Sequence, residues 1–239
     1  MVFYAPSTKE AAAKDPTALR IRGVVFDMDG TLTTPISGFL AQMRQELSVP
    51  SGVRILDYIE DSMDGEARAW AHQRLVEIED AAMGTMELSP GLVELLQFLH
   101  DNEIRTAIIT RNNRRALDHF VNNVVSRQPE THRALFSFDP LIDRSFAPTK
   151  PAPESMLHIS ERWGIEPAQL MMVGDHGDDL LCGVRAGSVS ALLRYDDNRM
   201  FEPKAHVVVD RIDELTDKLA RGFEADMGIT GDDTLGVGH

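Results

Sequence analysis

The chain has 239 residues, 43% of them hydrophobic and 26% charged, enough apolar material for one substantial core with a small second domain beside it. Its formal charge of −14 argues against nucleic-acid binding, whose sequence-independent part depends on clustered Lys and Arg. No run approaches the roughly 18 consecutive apolar residues of a membrane helix. The opening MVFYAPSTKEAAAKDPTALR has neither a basic start nor an apolar block, so a cytoplasmic protein with no membrane partner is expected.

Residues 1–16 read as an N-terminal extension. Ile21 to Phe26 is then an apolar run too short for a helix and ending in acidic and Gly residues, which suggests a fully buried parallel strand. It closes in Asp27-Met28-Asp29-Gly30-Thr31, where the two-residue period of a strand puts both carboxylates on one side of the backbone. Neighbouring carboxylates repel, and favour either a shared proton or a cation. An Asp-Gly turn or a helix cap is the plainer use of the same residues.

Residues 34–88 break the strand rhythm. Ile36, Phe39, Leu40, Met43 and Leu47 repeat at helical spacing, as do Ala67, Trp70, Ala71, Leu75 and Ile78, so a small all-helical insert is expected. An insert leaving from the end of the first strand could cover a site there, because open α/β sheets bind ligands outside the carboxyl ends of their strands. Its Arg44, Arg68, His72 and Arg74 could reach a second anionic group, although a solvated helix face is the commoner role of each.

Ser89-Pro90 reads as an N-cap and first-turn proline before Leu92, Leu95, Leu96 and Leu99. Ile104 to Ile109 is the next strand, ended by Thr110 and followed by Arg111 and Asn112. Lys150 lies in Pro148-Thr149-Lys150-Pro151, and Gly164 marks a helix stop. Leu170 to Val173 is a strand running into Gly174-Asp175-His176-Gly177-Asp178-Asp179, after which Gly187 ends a helix. Mg²⁺ takes oxygen ligands, whereas zinc wants His and Cys in closer array, so His176 reads as a loop residue. Cys182, the only cysteine, excludes an intrachain disulfide and reads as a buried small apolar side chain.

Val189 to Leu193 and His206 to Val209 complete the strands. Strands alternating with helices predict a doubly wound parallel α/β sheet, with a core of residues 17–33 and 89–223 and a cap of residues 34–88. Residues 224–239 end in GITGDDTLGVGH, polar and Gly-rich without periodicity, so a disordered tail is expected.

In the order Asp-x-Asp-Gly-Thr, Thr110, Lys150 and Gly-Asp-x-x-x-Asp, these four signals resemble the motifs of the haloacid dehalogenase superfamily. The likeness is to its phosphoglycolate-phosphatase-like subgroup and covers roughly residues 20 to 220. It implies a Mg²⁺-dependent phosphatase acting on a small phosphorylated metabolite, with Asp27 forming an aspartyl-phosphate. It further implies that Asp29 serves as acid and then base and turns its carbonyl to the metal, and that Asp175 completes the metal site with Asp27. Asp179 would be a further ligand or, preferably, a partner behind the ligands, leaving Asp178 as a loop or capping residue. Thr110 and nearby N–H groups would bind phosphoryl oxygens, and Lys150 would offset their charge. Arg111 and Asn112 would meet the substrate beyond them.

Asp29 argues against dehalogenation, whereas a phosphomutase shares all four motifs. A noncatalytic phosphate-binding protein would be expected to have lost a motif residue, and a signalling receiver domain lacks both Asp-x-Asp-Gly-Thr and the insert. Substrate identity, including a lipid-like phosphate, and monomer versus dimer are left open by the residues.

Overall fold

The computed structural model describes residues 1–35, 39–50, 53 and 55–229. They form two compact units, one of Met1–Thr34 with the described residues from Glu87 on, the other of the described residues from Pro35 to Met86.

The first unit holds eight strands: β1 Val2–Tyr4, β2 Gly23–Phe26, β3 Arg105–Ile109, β4 Leu141–Ile142, β5 Leu170–Gly174, β6 Val189–Leu193, β7 Val207–Val209 and β8 Phe223–Ala225. Six of them make a sheet in the order β4-β3-β2-β5-β6-β7, and every pairing in it is parallel. The chain builds outward from β2 to β4, returns to the other side of β2 and builds outward again. This is the expected doubly wound α/β fold, and the strand order reverses beside β2.

β2, β5 and β6 are buried at every position, as parallel strands covered on both faces must be. One face carries a cluster in which Val25, Ile109 and Met172 meet Met156, Ile159 and Trp163 of the helix Glu154–Trp163. Gly164 ends that helix in the left-handed region, at φ 62, as its position in the sequence suggests. The helix after Ser89-Pro90 starts later than expected. It spans Leu92–Asp101 with Gly91 as N-cap, because Gly91 adopts the left-handed region, at φ 90, and interrupts any helix begun at Ser89.

Both chain ends depart from the linear reading. β1 pairs antiparallel with β8, and Tyr4 stacks on Phe223 with ring centroids 4.9 Å apart. The stretch expected to be a disordered tail therefore begins as a strand. Its stability comes from pairing with residues more than two hundred positions away, which no local pattern records. Residues 230–239 lie outside the described residues.

The second unit contains helices Phe39–Glu46, Ile55–Ser62 and Gly65–Gly84 around a core of Met43, Leu47, Ile59, Ala71, Leu75 and Ile78. Ala67 and Trp70, read as part of its apolar stripe, are exposed. The buried face runs instead through Ala71, Leu75 and Ile78, one turn apart. Ile36 lies outside the described residues. No helix among the described residues is long and apolar enough to cross a membrane.

Candidate active site

Three strands of the sheet deliver acidic or polar groups at their carboxyl ends. Asp27 directly follows β2, and its N–H continues the ladder to the Val173 carbonyl at 2.9 Å. Thr110 directly follows β3, with its N–H on the Ile142 carbonyl at 2.9 Å. Asp175 directly follows β5. Rigid strand ends thus fix the residues before any side-chain contact is made.

Lys150 links the ends of β2 and β3 to Asp179. Its ammonium donates to Asp27 Oδ1 at 2.5 Å and to the Ile109 carbonyl at 2.8 Å, and it lies 2.6 Å from Asp179 Oδ1. Lys150 and Asp179 are almost wholly buried, at 4% and 2% exposure. Asp179 occupies the third position of the helix Gly177–Arg185, where its other oxygen accepts the His176 N–H at 3.0 Å in a capping box. Gly174 makes room for it, since a Cβ there would stand 2.3 Å from that of Asp179.

Asp27, Asp175 and Asp179 each offer a carboxylate oxygen within 4.8 Å of the others. One ammonium faces three carboxylates. Burial pushes the Asp27 carboxyl well above its ordinary range, with Lys150 only partly offsetting it. Burial, with the charges of Asp179 and Asp27, pushes Asp175 up to about 8. Burial alone would pull Lys150 down, but Asp179 and Asp27 outweigh it and hold the ammonium charged. Such a cluster suits a hard divalent cation, since its donors are carboxylate oxygens and its net charge without one is negative.

Asp29 stands apart from this trio. Its carboxylate accepts a hydrogen bond from Asn112 Nδ2, and its proton affinity is raised by burial against the opposing effects of Asn112 and Lys150. Asn112 therefore has a partner that the sequence did not suggest. Its own N–H donates to Thr110 Oγ1 at 3.1 Å, so the Thr110 hydroxyl shapes the loop that carries Asn112. Gly30 adopts φ +73 and touches Asp175; a Cβ there would lie 2.3 Å from Asp175 Oδ2.

Arg111 pairs with Asp178 at 2.5 Å, the arginine exposed and the aspartate mostly covered. Asp178, read as a loop residue, is thus what holds Arg111. His176 caps its helix by accepting the Asp178 N–H at 3.2 Å, and its ring meets Phe201. Cys182 is buried with a thiol pushed up to about 11 by burial, and it donates to the Ala152 carbonyl at 3.1 Å.

Arg44, Arg68, His72 and Arg74, read as able to reach a second anionic group, are engaged inside their own unit. Arg44 donates to the carbonyls of Pro50 and Val53, Arg68 to those of Glu60 and Met63, His72 pairs with Glu60, and Arg74 with Glu46 and Glu77.

Residues 21–187 match the haloacid dehalogenase-like hydrolase family. The chain is 36% identical to a haloacid dehalogenase-like hydrolase domain-containing protein of Arabidopsis thaliana, over 86% of each chain. It is 28% identical to phosphoglycolate phosphatase 1 of Pseudomonas aeruginosa, over 94% of this chain and 89% of that one. Among solved structures, a predicted phosphoglycolate phosphatase from Haemophilus somnus has the same fold, with a TM-score of 0.64 at 16% identity over 82% of this chain and 97% of that one.

Proposed function

The chain belongs to the haloacid dehalogenase-like hydrolase family, and on that premise we propose that it is a Mg²⁺-dependent phosphatase in which Asp27 accepts the phosphoryl group of a small phosphomonoester. The observation that carries this reading is the meeting of Lys150 with Asp27 and Asp179 beside Asp175, at the carboxyl end of the sheet. The likeness to a phosphoglycolate phosphatase supports the reaction class and leaves the substrate open.

In the first step a carboxylate oxygen of Asp27 attacks phosphorus, and the bond from phosphorus to the leaving alkoxide breaks while Asp29 donates a proton to it. In the second step water attacks the same phosphorus, Asp29 takes the water's proton, and the bond to Asp27 breaks to release phosphate. Asn112 holds the Asp29 carboxylate through both exchanges. Lys150 keeps Asp27 oriented and offsets negative charge as the phosphoryl group arrives.

Asp27 and Asp175, with the Asp29 carbonyl, would hold Mg²⁺, and Asp179 would stand behind them because both of its oxygens already have partners. Bound there, the cation supplies the positive charge that lets buried Asp27 and Asp175 stay ionised and neutralises phosphoryl oxygens. Thr110 and nearby backbone N–H groups other than that of Asn112 are assigned to the phosphoryl oxygens, and Arg111 and Asn112 to the rest of the substrate.

The test is phosphate release from a panel of phosphomonoesters with Mg²⁺, with EDTA, and with Asp27→Asn. Metal-dependent release abolished by the substitution, with one phosphoryl mass trapped on the Asp27 peptide of the wild type, is the expected result. Phosphate release that survives Asp27→Asn would overturn the assignment, and conversion of a sugar phosphate to its isomer without release would make the chain a mutase.

A further inference from the structure

The turn that leaves β6, Tyr195 to Asn198, ties together the two loops that carry the acids. Tyr195 Oη donates to the Gly30 carbonyl at 3.0 Å, in the loop that follows Asp27. Asn198 Nδ2 donates to the Asp175 carbonyl at 2.8 Å and to the Leu193 carbonyl at 3.0 Å. The turn is closed on itself, since the Tyr195 N–H donates to Asn198 Oδ1 at 2.7 Å and the Asn198 N–H to the Tyr195 carbonyl at 3.4 Å. Asn198 is 6% exposed, so water competes little for the bonds of its side chain.

The two anchor points touch each other. Gly30 lies so close to Asp175 that even a methyl group would not fit between them. A displacement of the Gly30 carbonyl is therefore felt at the Asp175 carboxylate, and a displacement of the Asp175 backbone is felt at Gly30. Packed interiors transmit such shifts because they contain little free volume.

We infer that Tyr195 and Asn198 are positioning residues that fix the spacing between the Asp27–Thr31 loop and Asp175, and through that spacing the affinity of the acid cluster for its divalent cation. This rests on the assignment of Asp27 and Asp175 as cation ligands and not on which phosphomonoester is turned over. Neither side chain is asked to touch substrate or cation, since the Tyr195 hydroxyl and the Asn198 amide donate to main-chain carbonyls and Asn198 Oδ1 accepts a main-chain N–H. A cation site is sensitive to such control because Mg²⁺ demands nearly ideal octahedral geometry.

The experiment is a calorimetric titration of the full-length chain with Mg²⁺ alone, comparing wild type with Tyr195→Phe, which removes one hydroxyl and keeps the ring. The expected result is a Kd for Mg²⁺ raised about three- to tenfold, the weight of one neutral hydrogen bond. Asn198→Asp replaces the donor with an acceptor facing two carbonyls, and its Kd should rise further. In turnover at saturating Mg²⁺, KM for the best phosphomonoester should remain within about twofold for Tyr195→Phe, separating cation geometry from substrate contact. An unchanged Mg²⁺ affinity in folded Tyr195→Phe overturns the inference, as does a raised KM with unchanged Mg²⁺ affinity, or a wild type that does not bind Mg²⁺. A wild type that binds Mg²⁺ but releases no phosphate refutes the phosphatase reading, while the comparison of Mg²⁺ affinities still decides this one.

Discussion

Lys150 and Asp179 form a buried ion pair at 2.6 Å, their side chains 2% and 3% exposed, and this pair separates the ammonium's structural task from its chemical one. Asp179 spends its second oxygen on the cap of its own helix, so it cannot move to follow a substrate. Lys150 is thereby anchored on one side and free to serve Asp27 on the other.

Removing the ammonium with Lys150→Met leaves Asp27 and Asp179 buried and uncompensated. A broken buried pair costs about 3–5 kcal/mol. Urea denaturation of the metal-free variant should show a loss of that order, and phosphate release should fall by at least about a thousandfold as transition-state charge goes unopposed. A variant of wild-type stability would mean that Lys150 is not the counter-charge of this cluster.

Asn112→Ala deletes the donor that favours the ionised form of Asp29. The Asp29 carboxyl should then hold its proton to higher pH. Because Asp29 must be protonated to serve the leaving group, the alkaline limb of kcat/KM should move to higher pH. A limb that stays in place, or moves down, would break the link between Asn112 and the acid.

The sequence revealed the strand ends and the residues that sit on them, because buried parallel strands leave apolar runs and the motif residues follow directly. It could not reveal what those residues hold. Asn112 to Asp29, Arg111 to Asp178 and Tyr195 to Gly30 span 83, 67 and 165 positions, and each is fixed by the stacking order of strands. Tyr195-Asp196-Asp197-Asn198 reads locally as an ordinary polar turn. The pairing of β1 with β8 escaped for the same reason, and β4 because two residues make no pattern.

Arg111 is exposed and held by Asp178, so its pairing is weak enough to be exchanged for an anionic group on a substrate. Arg111→Ala should raise KM more than it lowers kcat. Asp178→Asn, which releases the guanidinium, should lower KM for substrates with a second negative group and leave simple phosphomonoesters little affected. Equal effects on both substrate types would remove Arg111 from the substrate's surroundings.

Without metal, the raised proton affinities of Asp27 and Asp175 set the sign of these two groups' contribution to the pH dependence of stability. The folded protein keeps protons that the unfolded chain has lost, from the ordinary carboxylate value of 3.8 up to about 8 for Asp175. Stability from these groups is therefore full below pH about 4 and is lost as pH rises through neutrality. Mg²⁺ binds the ionised carboxylates, so its stabilisation should be small at pH 5 and large at pH 8. Thermal melts with EDTA and with Mg²⁺ at both pH values measure this directly. Asp175→Asn provides the control, because it should flatten the metal-free pH dependence and remove most of the Mg²⁺ response. A Mg²⁺-induced rise in Tm equal at pH 5 and pH 8, or unchanged by Asp175→Asn, would mean that the cation does not bind at these carboxylates.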